Sequence, residues 1–351
     1  MTKLRTALRT KASRSRALFA IAAMSAFGAA QAQAEEVVNI YSYREPGLIQ
    51  EILDAFTAET GIKTNIVFGR NGIIERMTAE GRNSPADLLI VNDSGLLFQA
   101  KDAGVTQPLE SKVVDETVDA RYRDPEHHWV GFTQRARILY ASKERVPQDA
   151  ITYEELAEPK WKGKICSRSG QHTYNIALIA SMIAHHGEEK AETWLAGVRD
   201  NLATKPAGGD REGARNVHAG LCDVAIGNTY YMAGMMKSDE YKPVAESLKI
   251  LFPNAADRGT HVNISGGALA AHAPNRDNAV KLIEFFLSKT SQESYVGKSG
   301  EYPIIVGAES SDLVKSWGEL KADKLSIAEI AALRRKASEL VDKVRFDAGP
   351  Q

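Results

Sequence analysis

Two long β-type runs, 131–142 and 262–271, break an otherwise regular alternation of short strands and helices. The first contains Phe132-Thr133-Gln134-Arg135-Ala136-Arg137-Ile138-Leu139-Tyr140 and arrives without a preceding helix. Around them the pattern is simple. A β-type stretch, Val37-Val38-Asn39-Ile40-Tyr41-Ser42, is followed by Leu48, Ile49, Ile52, Leu53 and Phe56, which recur on one helical face until Gly61 stops them. Segments 63–68 and 86–91 read as strands, with a helix over 73–80 between them. Strands alternating with helices imply an α/β fold with mostly parallel sheet. The two long runs are then best used as hinge strands joining two lobes. Lobe 1 would hold residues 35–132 plus 264–310, and lobe 2 residues 133–263 plus 311–351. The second lobe reads as a strand at 164–167, helices at 175–185, 188–200 and 212–219, a strand at 223–226, and a helix opening near Tyr230. A helix over 278–287 belongs to the first lobe, and a helical tail from 325 to 344 packs across the back. Ligands of such folds bind between lobes, at the carboxyl ends of strands, and lobe closure traps a small solute.

The N-terminus carries an address. Lys3, Arg5, Arg9, Lys11, Arg14 and Arg16 precede an apolar stretch from 17 to 30, and Ala32-Gln33-Ala34 has the small-x-small form of a cleavage site. Residues 1–34 are expected to be a signal peptide, cut after Ala34, with the mature protein in the periplasm. Removing the leader leaves 38 basic against 45 acidic residues, a net charge of −7. Such a chain is ill suited to nucleic acid or an anionic membrane and does not repel cations. The remaining 317 residues exceed what one core usually organises. The two cysteines, Cys166 and Cys222, are expected to form a disulfide in an oxidising compartment. No GxSxG, HExxH, P-loop or GxGxxG occurs, so an enzyme is not expected.

Tyr230-Tyr231 follows a strand and a Gly227-Asn228-Thr229 turn, and so opens a helix. Cys222 lies eight residues before Tyr230, and Cys166 lies eight before Tyr174. A Cys166–Cys222 bond would set the two strands side by side and let Tyr174, Tyr230 and Tyr231 converge. Phenolate is a hard anionic donor that suits a trivalent cation. The cation in turn pulls the phenol pKa far below its usual value near 10. The pairs His127-His128 and His185-His186 read as surface residues, the second suited to the negative end of a helix.

Several segments together carry a resemblance. They are 40–45 (Ile-Tyr-Ser-Tyr-Arg-Glu), 84–88 (Ser-Pro-Ala-Asp-Leu), Arg135-Ala136-Arg137, 169–175 (Ser-Gly-Gln-His-Thr-Tyr-Asn), 227–231 (Gly-Asn-Thr-Tyr-Tyr) and 263–267 (Asn-Ile-Ser-Gly-Gly). In this order they resemble the ferric-ion-binding periplasmic proteins, the solute receptors of iron(III) ABC importers. The resemblance implies a type 2 periplasmic binding protein with a set of tyrosinate ligands to Fe(3+) at Tyr174, Tyr230 and Tyr231. It also implies delivery of iron as a monomer to an ABC permease and its ATPase. Many members carry a histidine after the first strand. This chain has none there, which leaves Tyr43 or Glu45 as the fourth ligand. A position that supplies a carboxylate in some relatives is Asn92. Arg135 would offset ligand charge or hold a synergistic anion such as carbonate, or else bridge the lobes. His172 would stand outside the ligand set. The competing reading is the same fold serving another small solute, a polyamine or small anion.

Overall fold

The computed structural model describes residues 36–351, so the expected signal peptide lies outside the described residues. Nine strands occur among the described residues: β1 (Val37–Ser42), β2 (Lys63–Phe68), β3 (Leu88–Val91), β4 (Val130–Ser142), β5 (Ile165–Cys166), β6 (Val224–Asn228), β7 (Leu248–Leu251), β8 (Val262–Leu269) and β9 (Tyr302–Pro303). They join in the order β2-β1-β3-β8-β4-β6-β5, with β7 and β9 also on β4.

The two long runs sit at the centre of this order. β4 gives its first half, through Ala136, to β8, and its second half, from Arg137, to β6 and β7. β8 carries the chain back and pairs antiparallel with both β3 and β4. The expected mostly parallel sheet is therefore mixed. β1 with β2 and β3, and β5 with β6, are parallel, as helical crossovers require. The strands that pass between the halves run against them. The Gly266-Gly267 pair in β8 is required by this packing. A Cβ on Gly266 would lie 2.4 Å from the Val130 carbonyl oxygen, and one on Gly267 2.5 Å from the Phe132 ring.

Two apolar cores flank the shared strand. One gathers Ile40, Leu89, Phe132 and Phe286, and the other Leu139, Ile165, Trp194 and Leu340. Phe132 and Phe286 stack with ring centroids 4.6 Å apart. The helix Pro46–Thr60 has the phase its sequence dictates. Proline opens it, Gly61 closes it at φ 76°, and Ile49, Ile52, Leu53 and Phe56 are buried. Each such side chain contributes about 1.5–3 kcal/mol by leaving water.

The C-terminal helices Ile327–Ala332 and Arg334–Lys343 both pack on the helix Thr173–His186. His127 is exposed as expected, whereas His128, His185 and His186 differ from expectation, because polar or charged partners draw them inward. His185 and His186 are half-buried against Asp323 and Glu154, each at 2.6 Å, and the half-buried His128 ring lies 2.7 Å from Thr106.

Candidate metal centre

The disulfide is present. Cys166 at the end of β5 and Cys222 just before β6 are bonded, with Cα atoms 5.9 Å apart. β5 and β6 run parallel, with Cys166 opposite Ala225. Their following loops both turn into helices. Tyr174 enters the helix Thr173–His186 and Tyr230 the helix Thr229–Met236, each at its second position. The two hydroxyls meet at 3.0 Å. The Tyr231 ring lies 4.3 Å from that of Tyr230, centroid to centroid, and the Arg211 guanidinium lies over the Tyr231 ring at 5.2 Å.

Buried polar groups fix these loops. His172 caps its helix by accepting the Tyr174 N–H at 3.3 Å. Asn175 donates to Ser167 Oγ and to the Arg168 and Ser169 carbonyls, and accepts from Arg137 at 2.7 Å. Asp347, near the C-terminus, accepts from Ser169 and the Gly170 N–H. On the other loop, Asp210 accepts from the Asn228 N–H, and it binds Arg137 at 2.6 Å and Arg168 at 3.3 Å. Gly227 has no room for a side chain, since a Cβ there would lie 2.1 Å from the Tyr140 ring.

The phenols resist ionisation on their own. Burial pushes Tyr174 up to about 12, and charge on Tyr231 would push the same way. Burial, then Tyr174 and Tyr231, hold Tyr230 well above the usual phenol range. Arg135 opposes both shifts. At neutral pH Tyr174 and Tyr230 thus wait protonated for a cation strong enough to displace the proton. Among the described residues no group of three or more His, Cys, Asp or Glu side chains could hold a metal.

A cavity of about 490 Å³ opens onto Tyr174, with Tyr43, Asn92, Asp93 and His172 also on its wall. Tyr230 and Tyr231 are not among its lining residues. Tyr43 is buried, and its hydroxyl accepts the Ile74 N–H at 3.0 Å. Glu45 stands apart: it is exposed, pairs with Arg70 at 2.9 Å and does not line the cavity. Asn92 lines the wall as an amide, without a carboxylate. His172 is driven down to about 4 by burial and by Arg168 and Arg137, and is a neutral imidazole at neutral pH.

Arg135 is 1 % exposed. It donates to Ser265 Oγ at 2.9 Å and lies 3.8 Å from Glu301. Arg44 binds the same carboxylate at 2.9 Å, so two guanidiniums share one buried glutamate and leave one positive charge over. Sequence reasoning passed over Arg44, although it lies beside Tyr43. It also passed over Asp93, whose carboxylate accepts from Thr173 Oγ1 at 2.7 Å, from the Gly95 N–H at 2.8 Å and from Asn263 at 2.9 Å. The Asp93-Ser94-Gly95 start of a helix was the available signal for that cap.

Comparison with known proteins agrees with this architecture. A family model described as bacterial extracellular solute-binding protein matches residues 83–322. Iron uptake protein A1 of Synechocystis is 38% identical over 313 residues, covering 88% of this chain and 87% of that protein. The Bordetella ferric binding protein superposes with a TM-score of 0.85 at 48% identity, over 89% of this chain and all of its own. A Trichodesmium protein solved with iron and citrate ligands gives 0.86 at 39% identity, over 88% and 99% of the two chains. With a mixed α/β fold of type 2 and a match to the family model over residues 83–322, this chain belongs to the bacterial extracellular solute-binding proteins.

Proposed function

We propose that this chain captures ferric iron in a cleft between two lobes and delivers it to an ABC importer. The observation that carries the reading is the 3.0 Å approach of the Tyr174 and Tyr230 hydroxyls, with the Tyr231 ring tilted against that of Tyr230. Three phenols held together by hydrogen-bonded loops suit a hard trivalent cation. The iron-related names of the relatives support the same solute.

In this reading Tyr174, Tyr230 and Tyr231 bind the metal as phenolates, each releasing a proton. Tyr43 is favoured over Glu45 as the fourth donor, because it shares the cavity with Tyr174 while Glu45 faces solvent on Arg70. Arg135, with its excess positive charge, offsets the anionic ligands, and a small anion such as carbonate would add to the coordination there. Lobe 1 comprises residues 35–132 plus 264–310, and lobe 2 residues 133–263 plus 311–351. Closure about β4 and β8 would complete the metal sphere. The role is carriage without a catalytic step. The partners are the permease and ATPase of an importer at the inner membrane, met by a monomer in the periplasm after loss of residues 1–34.

A ferric citrate titration followed by visible absorption tests this reading. A saturable tyrosinate-to-iron band at one iron per chain is expected. A chain that stays colourless and binds no iron would return the tyrosines to cleft aromatics and the cavity to another solute.

A further inference from the structure

Asn71-Gly72 is the one Asn-Gly pair in the sequence, and both residues lie on the cavity wall. Both are exposed. The Asn71 side-chain amide has no hydrogen-bond partner among the described residues, and neither does the Gly72 N–H. Gly72 sits at φ 79° as the N-cap of the helix Ile73–Glu80, and a Cβ there would meet nothing within 4 Å. Gly72 therefore has no Cβ of its own to crowd its peptide nitrogen, and the space where one would stand is open. It also stands at the positive end of a helix, which favours negative charge as the nitrogen loses its proton.

We infer that Asn71-Gly72 is a site of spontaneous deamidation whose conversion alters the setting of Tyr43. The Gly72 nitrogen, its proton taken by hydroxide, attacks Cγ of Asn71. The new N–Cγ bond forms, the Cγ–Nδ2 bond breaks, and ammonia leaves with a proton from solvent. Water then adds to either carbonyl of the cyclic imide. One opening gives aspartate. The other gives isoaspartate, in which the main chain runs through the former side chain. The net change is amide plus water to carboxylate plus ammonium, with no oxidant or reductant.

The consequence reaches the site through one helix. Gly72 opens the helix whose Ile74 N–H donates to the Tyr43 hydroxyl at 3.0 Å. The isoaspartyl form inserts one backbone atom ahead of Gly72, and so shifts the N–H that holds Tyr43. The aspartyl form keeps the backbone and adds only a carboxylate to a wall that already has Glu75. The link to metal binding rests on the iron reading above; the modification does not.

The test ages purified protein in warm, mildly alkaline buffer, alongside fresh protein and the N71D and N71Q variants. Peptide mass mapping and isoaspartyl methylation locate the change, and ferric citrate titration reads its effect. A gain of about one mass unit at residue 71, with methylation there, is expected. Aged wild type should bind iron several-fold more weakly than N71D, and N71Q should not drift with age. No mass gain at residue 71 overturns the inference. A gain with an unchanged titration, in a protein whose Y231F variant has lost its band, overturns the link to Tyr43. A gain in a protein that never binds iron leaves the modification standing and overturns the iron reading alone.

Discussion

The Tyr174 and Tyr230 hydroxyls lie 3.0 Å apart across 56 residues of sequence, the same separation that divides Cys166 from Cys222. Disulfide and phenol pair are two rungs of one ladder, eight residues apart on each side. The lower rung sets the register of β5 and β6, and the loops above carry that register to the oxygens.

Tyr231→Phe removes one oxygen and no ring, so the packing with Tyr230 and Arg211 persists. Ferric affinity should fall by more than about 100-fold, beyond the loss usual for a residue that only supports a ligand. The absorption titration should lose most of its band while the melting temperature stays within a few degrees. Binding as strong as wild type would remove Tyr231 from the ligand set.

Reducing the disulfide, or changing Cys166 and Cys222 to Ser, frees a loop spanning 56 residues. Loop-closure entropy puts the loss near 4 kcal/mol. Thermal melts with and without reductant should separate clearly, and ferric affinity should fall in step. Coincident melts would show that the bond contributes nothing to the fold.

Stability and iron binding should respond oppositely at high pH. Tyr174 has a folded pKa of about 12 against 10 unfolded, so its contribution is complete below pH 10 and is lost as pH rises toward 12. Tyr174 alone accounts for about 3 kcal/mol of that loss. Ferric binding releases phenol protons and should strengthen over the same rise, where iron hydrolysis is held off by citrate. On the acid side, His172 and His261 are lowered to about 4 and about 3, chiefly by burial. Their neutral forms favour the fold above pH 6.5, and that contribution fades as pH falls from 6.5 toward those values. Melting temperature against pH checks both limbs. A flat profile between pH 6.5 and 4 would contradict the burial of the two imidazoles.

Asp93 ties the end of β3 to the residue beside Tyr174, through Thr173. Thr173→Val deletes that hydrogen bond, and the one its hydroxyl accepts from Arg334, while keeping the side-chain shape, at a cost of about 1–3 kcal/mol. Asp93→Ala also strands the Gly95 N–H and Asn263, and should cost about 2–3 kcal/mol. Both variants should release iron faster to a competing chelator, which stopped-flow loss of the visible band would follow. Release at the wild-type rate would limit the contact to stability.

Local signals in the sequence account for much of this molecule. The apolar phase of 46–60, the Gly61 stop, the two long β runs and the matching Cys-to-Tyr offsets all appear in the fold. Side-chain pairings between distant segments leave no such periodic trace. Arg44 meets Glu301 across 257 residues, Asp93 meets Thr173 across 80, and Arg137 meets Asp210 across 73. Each partner, seen alone, reads as an ordinary surface charge or polar residue. The inward pull on His185 and His186 was hidden for the same reason, since Asp323 and Glu154 lie far off in sequence. Mixed sheet direction followed from which half each strand serves, which helix-strand alternation does not encode.

Arg135 and Arg137 stand two residues apart on β4, yet the first binds Ser265 and the second Asp210 and Asn228. For protein engineering this makes β4 a poor place to begin. Both arginines sit on the one strand that pairs with β8 in one half and β6 in the other, so a change at either acts on an element the two halves share. Asn92 and Gln99 line the cavity at Tyr174 and lie off that strand, and a redesign toward a different solute would start from them.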